Sequence, residues 1–381
     1  MRPLRIAGGE VLCPDSGFVI ADLWVAGERI AEAGESGAAV LDARGLKVLP
    51  GIIDIHGDAF ERQLQPRPGV DFAAALALAE TERQLLGNGI TTAYHGVTLS
   101  WEPGLRSIES WRALVDALHA RAWVCDMRIH LRWEAYNLDA LDTALADIAA
   151  GRVHLLAFND HTPAILRRVH DPVKGAKYSD RAGMSLAEFR ALAGGVGARA
   201  DDVGPALDRI AAAARAAGLP MASHDDETLQ ARADFRRRGA QICEFPMAVE
   251  VAEAAAAAGD FVAMGSPNVV RGGSHMGWAS AAVMAEAGIC RVLTSDYYYP
   301  CLLQAPFVLA QRGVLDLAAA WALVSAHAAD AARLPDRGRL LPGKRADLVL
   351  VSAQHGPPRP VATIAAGRLA WMSAEGVSRL G

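Results

Sequence analysis

The 381-residue sequence lacks the features that mark secreted, membrane-spanning and disulfide-stabilised proteins. Its first residues contain no apolar segment of signal-peptide length, and no uninterrupted apolar run reaches the ~18 residues of a membrane span. The five cysteines are scattered and include no Cys-x-x-Cys pair, which predicts reduced thiols. We therefore expect a cytoplasmic protein without a membrane segment.

An excess of positive charge is also missing, since the formal net charge is −5. Proteins that bind nucleic acids or anionic membranes present a basic face, so neither is an expected partner. A local basic pocket for an anionic small molecule remains compatible with this charge. Because 52% of the residues are hydrophobic and only 21% are charged, the chain can build a sizeable core. The oligomeric state stays open, and a homo-oligomer is compatible with the sequence.

Both ends of the chain alternate short β-like runs with turns and show no long helical period. Neither end has enough apolar area to fold well alone. We therefore predict a small β-sandwich domain built from residues 1–50 and 337–381, beside a larger domain of residues 51–336.

The larger domain alternates short apolar runs with Ala- and Leu-rich amphipathic stretches. Eight such runs occur: GIIDIH, GITTAYHGV, DMRIHLRW, VHLLAFND, LPMASHDD, AQICEFP, FVAMGSP and CRVLTSDYY. This alternation predicts an α/β fold, a (β/α)₈ TIM-like barrel. An open doubly wound sheet is the alternative, but no Gly-x-Gly-x-x-Gly turn follows the first run to favour it. The polar stretch 164–205 is expected to be a long loop with a short helix.

Polar side chains gather where the apolar runs end. They are His56, Asp58, His130, Arg132, Glu134, Asp160, His161, His224, Asp225, Asp226, Glu244 and Asp296. In a (β/α)₈ barrel these ends share one face, so imidazoles and carboxylates would converge there and hold a divalent metal such as Zn, Mn, Fe or Ni. Any single such residue more often caps a helix or satisfies a hydrogen bond. Burying so many ionisable groups without a cation would be costly, which favours the metal site.

A second pattern is typical of anion binding. Asn268, Arg271, Gly272, Gly273, Ser274 and His275 fall in a loop after the seventh run that looks like the start of a helix. Glycine lets backbone N–H groups approach an anion, and arginine donates bidentate hydrogen bonds to phosphate. Arg67, Arg132, Lys174 and Lys177 could add cations, although a solvated basic loop explains the two lysines equally well.

These motifs together resemble one family. LPGIIDIHGD near the start and GKRADLVLV near the end are similar to the amidohydrolase superfamily. HGDAFERQLQPRPGVDF, HLRWE, NDHTP, GAKYS, ASHDD, MGSPNVVRGGSHMG and SDYYYP more narrowly resemble the alpha-D-ribose 1-methylphosphonate 5-triphosphate diphosphatases of alkylphosphonate breakdown. The resemblance implies a metal-dependent barrel that hydrolyses a triphosphate to a 5-phosphate and pyrophosphate.

The resemblance also implies roles for single residues. The metal ligands, for one or two divalent ions, would be His56, Asp58, Glu134, His161, His224 and Asp296, and Asp296 would also be the catalytic proton acceptor. Substrate contacts would come from the family's Gly-Gly loop, namely Asn268, Arg271, Gly272, Gly273 and His275. As cations expected at the same mouth, Arg67, Arg132 and Lys177 are predicted as further substrate contacts. In that assignment Pro66 and Pro68 stiffen the loop that presents Arg67.

The sequence departs from the family at Gly57, where the expected residue is threonine, and this loss of a side chain could widen the pocket. No strand-borne lysine is available to bridge two metals. Two other functions stay open at this point. The same metal site could hydrolyse an amide or deaminate a ring, or the barrel could have lost catalysis and serve only in binding.

Overall fold

The computed structural model describes residues 2–34, 37–67, 69–273, 280–354 and 356–381. Within them the strands form two eight-stranded sheets. The first sheet uses both ends of the chain: β1 (Leu4–Cys13), β2 (Gly17–Ala26), β3 (Arg29–Ala31), β4 (Ala39–Asp42), β5 (Lys47–Pro50), β14 (Leu348–Ser352), β15 (Arg359–Ala365) and β16 (Arg368–Met372). The second uses the middle: β6 (Ile52–Gly57), β7 (Ile90–Leu99), β8 (Asp126–Glu134), β9 (Leu155–Asn159), β10 (Met221–His224), β11 (Ile242–Glu244), β12 (Phe261–Gly265) and β13 (Cys290–Thr294).

Helices connect the strands of the second sheet and continue to the chain end. They are α1 (Glu61–Leu64), α2 (Ala74–Gly87), α3 (Ile108–His119), α4 (Leu141–Ala149), α5 (Thr162–Arg168), α6 (Pro172–Ala182), α7 (Leu186–Gly197), α8 (Ala200–Ala216), α9 (Leu229–Arg237), α10 (Val249–Ala257), α11 (Ser266–Arg271), α12 (Ala281–Glu286), α13 (Pro300–Gln311), α14 (Leu317–Ala322), α15 (Ala326–Ala331) and α16 (Ala374–Ser378). None of these described helices is both long and apolar enough to cross a bilayer.

The middle sheet is the predicted barrel, and its eight strands are the eight apolar runs. Neighbouring strands pair in parallel and in chain order from β6 to β13. The first and last strands meet where the Asp58 N–H donates to the Asp296 carbonyl at 2.9 Å and the Asp296 N–H donates to the His56 carbonyl at 3.1 Å. The strands are almost wholly buried because side chains fill the inside and helices cover the outside.

A register shift in β6 explains why His56 faces the barrel interior. Ile53 and Ile55 belong to the apolar cluster inside the barrel, so strict alternation would turn His56 outward. The pairing with β7 shifts between Asp54 and Gly57, and a bulge of this kind redirects the next side chain. His56 therefore points to the same side as Ile55 and lies at the barrel mouth.

The terminal sheet confirms that both chain ends build one β-structure. Its strand order is β16-β15-β14-β5-β1-β2-β3, with β4 also paired to β1, and most pairs are antiparallel. The two ends meet where β5 pairs with β14. Side chains from both ends, such as Ile6, Val48, Leu348 and Ile364, fill one apolar core. Neither segment alone could enclose this core.

The expectation of a long loop over residues 164–205 is wrong, because the stretch is helical. The Asp171 side chain caps α6 by accepting the N–H groups of Val173 and Lys174, and Ser185 caps α7 in a capping box. A small core around Ile165 and Phe189 packs the helices together. We call α5, α6 and α7 the helical cap.

Candidate active site

Three buried imidazoles, from β6, β8 and β10, surround one buried carboxylate oxygen at the barrel mouth. Glu244 Oε2, at the end of β11, lies 2.9 Å from His56 Nδ1, 3.3 Å from His224 Nδ1 and 3.8 Å from His130 Nε2. The His56 and His224 rings are stacked with centroids 5.0 Å apart. The parallel strands position these residues because all their carboxyl ends lie at the same rim.

Burial sets the charge of this group. It lowers the pKa of His56 to about 3 and that of His130 to about 3, and it takes the pKa of His224 well below its usual range. Burial also raises the pKa of Glu244 to about 7. The three imidazoles are therefore neutral at physiological pH, and a neutral imidazole is the form that binds a metal.

A second group shares His224 and opens toward solvent. His161 lies between two carboxylates, with Nδ1 3.3 Å from Glu134 Oε2 and Nε2 3.3 Å from Asp225 Oδ2. Burial lowers the pKa of His161, but the hydrogen bonds to Asp225 and Glu134 outweigh burial and raise this pKa to about 9. Asp225 adopts a positive φ of 58°, a strained backbone conformation that aims its side chain at the imidazoles.

The residues present fit a divalent cation. Two groups of three, His56 with His224 and Glu244, and His161 with His224 and Asp225, each hold their ligand atoms within 4.8 Å of one another. Glu244 Oε1 and His130 Nε2 are buried and have no hydrogen-bond partner in the described residues. Buried polar atoms without a partner are costly, and a cation bound by imidazole and carboxylate groups would satisfy them.

Arg132 and Asp58 lie beside these groups at the centre of the mouth. Arg132 Nη2 is 2.8 Å from His224 Nε2, and Arg132 Nη1 is 3.7 Å from Asp58 Oδ2. Asp58 belongs to neither group of three, so its role as a metal ligand stays a prediction. The buried guanidinium of Arg132 is placed where it could contact an anionic substrate.

Glu134 already has several hydrogen-bond partners. Its Oε1 accepts the Thr162 N–H at 3.1 Å and the Thr162 hydroxyl at 2.7 Å, and the His161 N–H also donates to this carboxylate. Glu134 thus caps the start of α5 and fixes the backbone that carries His161. Ligation of a metal by Glu134 stays a prediction.

Asp296 follows β13 on the same rim. Burial raises its pKa to about 7, and the neighbouring charge of Asp58 adds to this effect. Its φ of 55° is a second strained conformation at the mouth. A carboxylate with a pKa near 7 can exchange a proton at physiological pH, which suits the predicted role of Asp296.

The described part of the glycine loop after β12, Gly272 and Gly273, lies at the end of a helix. Gly272 takes the left-handed conformation at the end of α11, and the N–H groups of Gly272 and Gly273 donate to the carbonyls of Val269 and Asn268. These two N–H groups are therefore already bonded within the end of the helix, and their role in holding an anion stays a prediction.

The remaining predicted substrate contacts are spread over several positions. Asn268 Oδ1 accepts the Ala281 N–H at 3.0 Å, and Arg271 Nη1 lies 3.3 Å from the Tyr297 hydroxyl. Arg67 is exposed in a turn, and Lys177 is exposed on α6 in the helical cap. Their substrate roles stay predictions. Ser274, His275 and Pro68 lie outside the described residues.

The expected widening of the pocket at Gly57 is also wrong. A β-carbon at Gly57 would lie 2.7 Å from both Asp54 Oδ2 and Ser295 Oγ, and 3.2 Å from a ring carbon of Tyr299. Since the Ser295 hydroxyl donates to Asp54 at 2.5 Å behind the strand, a side chain at position 57 would point away from the mouth.

His130, Asp225 and Glu244 lie at the centre of the site; the strand-end pattern predicted that they converge on a metal, but the family resemblance implied no individual role for them. Glu244 ends β11, Asp225 follows β10 and His130 lies within β8, so the sequence carried the signal. Spacing alone could not show which strand ends are close enough to share a ligand, because that depends on barrel closure and on the backbone at Asp225.

Comparison with known proteins gives one strong relative. The chain is 35% identical over 325 residues to the "Alpha-D-ribose 1-methylphosphonate 5-triphosphate diphosphatase" of Escherichia coli (strain K12), covering 81% of this chain and 84% of that protein. No family model matches the sequence.

Solved structures share the fold at low sequence identity. An amidohydrolase from an environmental sample of the Sargasso Sea aligns with a TM-score of 0.65 and 18% identity, over 97% of this chain and 93% of that one. Molinate hydrolase aligns with a TM-score of 0.63 and 14% identity, over 97% and 94%. These similarities show that the chain shares the fold of these proteins.

Proposed function

This chain belongs to the family of the alpha-D-ribose 1-methylphosphonate 5-triphosphate diphosphatases, and we propose that it hydrolyses that ribose triphosphate to the 5-phosphate and pyrophosphate in the breakdown of phosphonates. The observation that carries the proposal is the 35% identity to the Escherichia coli enzyme over most of both chains. The convergence of imidazoles and carboxylates at the barrel mouth supports a hydrolase.

We assign the divalent cation to His56, His224 and Glu244, with His161 and Asp225 as the neighbouring group. Imidazole and carboxylate ligands suit Zn²⁺ best, and Mn, Fe or Ni remain compatible. His161, with a pKa of about 9, has to release its proton before the second group can bind a cation. We propose one or two ions per chain, as the resemblance implies. When bound, such a cation supplies Lewis acidity that polarises phosphoryl oxygens and makes water more acidic.

Besides a cation, hydrolysis needs a proton acceptor and a group that stabilises negative charge, and this chain's own residues supply both. Hydrolysis forms a bond between a water oxygen and phosphorus and breaks the bond from phosphorus to a bridging oxygen. Asp296, whose pKa is raised to about 7 by burial, accepts the proton of the attacking water. Arg132 stabilises the negative charge that develops on the phosphoryl oxygens.

We also propose a cytoplasmic location, which the thiols support. All five cysteines are free, and four of them are buried. Free thiols suit a reducing compartment, which supports a cytoplasmic location.

The test is ³¹P NMR on the purified protein, supplied with Zn²⁺ or Mn²⁺ and ribose 1-methylphosphonate 5-triphosphate. We expect pyrophosphate and the 5-phosphate to appear in equal amounts, and an Asp296→Asn variant to lose this turnover. Absence of turnover in the metal-loaded wild type, together with hydrolysis of a compound from an amide panel, would contradict the proposal and support C–N chemistry.

A further inference from the structure

The helical cap carries a second polar pocket beside the barrel mouth. This pocket has a volume of about 410 Å³ and is lined by Arg168, Lys174, Lys177, Tyr178 and Arg181, which we call the basic pocket. Four of its five residues are cations and none is a carboxylate. Lys174, Lys177, Tyr178 and Arg181 are spaced at i, i+3, i+4 and i+7, so α6 presents them on one face.

Most of this positive charge has no partner. Arg181 donates to Glu102 at 2.7 Å, but among the described residues no carboxylate lies within ion-pairing distance of Arg168, Lys174 or Lys177. The nearby Asp171 carboxylate is used to cap α6. Like charges held close together repel one another, and an anion bound between them offsets this repulsion.

Lysine is rare in this chain, and half of the lysines lie in the basic pocket. The whole chain contains four lysines, and two of them lie in this pocket. Lys47, by contrast, pairs with Glu10, and the Lys344 ammonium donates to the Pro335 carbonyl.

The basic pocket adjoins the proposed active site. Arg168 also lines the mouth cleft of about 310 Å³ that contains His161, His224 and Asp225. A ligand longer than one phosphate could therefore reach from the imidazoles to the cations of α6.

We infer that the basic pocket is an anion subsite that binds the terminal diphosphate of a 5′-triphosphate while the scissile bond lies at the mouth. This inference rests on the proposed function. When the bond from phosphorus to the bridging oxygen breaks, its electron pair remains on that oxygen. The departing pyrophosphate thus gains negative charge next to Arg168, Lys174 and Lys177, which stabilise it.

The test compares a Lys174→Gln/Lys177→Gln double variant with Lys344→Gln, which removes a lysine charge far from the mouth. Calorimetric titration with inorganic pyrophosphate is carried out on protein freed of metal by a chelator. We expect the double variant to bind pyrophosphate at least tenfold more weakly than the wild type, and Lys344→Gln to bind as the wild type does. Equal affinity in all three proteins would overturn the inference.

Kinetics separate this inference from the proposed function. A metal-loaded double variant with a KM for the ribose triphosphate raised tenfold or more supports both. Turnover with wild-type KM and kcat would remove the subsite and leave the function standing. If the wild type hydrolyses no triphosphate but the double variant still binds pyrophosphate more weakly than the wild type, the subsite stands and the function fails.

Discussion

At the barrel mouth a single carboxylate determines the arrangement of the imidazoles. Glu244 is fully buried, and one of its oxygens faces three histidines while the other has no hydrogen-bond partner among the described residues. Because burial keeps the histidines neutral, the electron-rich atoms of this group point at one place and outnumber the N–H donors that could bond to them. A bound cation resolves this imbalance.

Replacing Glu244 by glutamine tests this reasoning at the residue scale. The change keeps the size of the side chain and removes its charge, so we expect the bound metal to be lost and kcat/KM for the ribose triphosphate to fall on the order of 100-fold or more. Elemental analysis and ³¹P NMR measure the two effects.

The matched control is Glu250→Gln, an exposed glutamate on α10. It should keep both metal and activity. A Glu244→Gln protein with a full complement of metal would show that Glu244 is not a ligand.

The sequence predicts the site residues that end apolar runs, but not those whose position depends on the closed barrel. His56 and His224 are evident because each ends an apolar run, and strand ends share one rim in a barrel. The contact between β6, β10 and β11 that selects Glu244, and the positive φ of Asp225, arise only from the closed fold. Gly57 shows the same limit, since its orientation depends on the bulge in β6.

At the element scale, the barrel strands were predictable because each is a buried apolar run with a distinct beginning and end. The helical cap was not, since its polar composition hides the few apolar positions, such as Ile165 and Phe189, that pack its helices together. The end of α11 at Gly272 was not predicted either, because two consecutive glycines suit either an anion-binding loop or a helix C-terminus.

Gly272→Ala distinguishes these two roles of the glycine pair. Gly272 has a φ of 85°, which alanine adopts only with strain, so we expect the free energy of unfolding to fall by about 1 kcal/mol. Because its N–H is bonded within the helix end, KM for the ribose triphosphate should stay unchanged.

Gly194→Ala is the control, because Gly194 lies inside α7 and its β-carbon would meet no atom within 4 Å. There alanine should stabilise the protein by about 0.5–1 kcal/mol. Urea unfolding measures both changes. A large rise in KM for Gly272→Ala would instead support the anion-binding role of this loop.

At the scale of the whole molecule, the C-terminal segment is held to the base of the barrel by a partly buried ion pair. Arg337 is 4% exposed, and its guanidinium donates to Asp126 Oδ2 at 2.7 Å and to the Thr92 hydroxyl at 2.9 Å. Burial raises the pKa of Asp126, but hydrogen bonds and charge from Arg128 and Arg337 outweigh burial and lower this pKa to about 2. The pair thus joins β8 to the part of the chain that leads into the terminal sheet.

This pairing makes stability depend on pH. Since the folded-state pKa of Asp126 lies below its unfolded value, its contribution is fully present above about pH 4 and is lost as the pH falls toward 2. The shift corresponds to about 2 kcal/mol. We expect Asp126→Asn to lose about this much at pH 7 and to differ less from the wild type at pH 3, as measured by urea unfolding.

The exposed Asp15 provides the comparison, because Asp15→Asn should follow the wild type at both pH values. An Asp126→Asn protein as stable as the wild type at pH 7 would show that this ion pair does not stabilise the fold.

The most direct measurement of the central claim is a metal titration of the chelator-treated wild-type protein, in which bound ions and pyrophosphate release are followed in the same samples. If the imidazoles and carboxylates at the barrel mouth form a metal-dependent diphosphatase site, turnover of ribose 1-methylphosphonate 5-triphosphate is absent without metal and rises in proportion to the ions bound, up to one or two per chain. Full turnover by the metal-free protein, or stoichiometric binding of metal without any release of pyrophosphate, would contradict it.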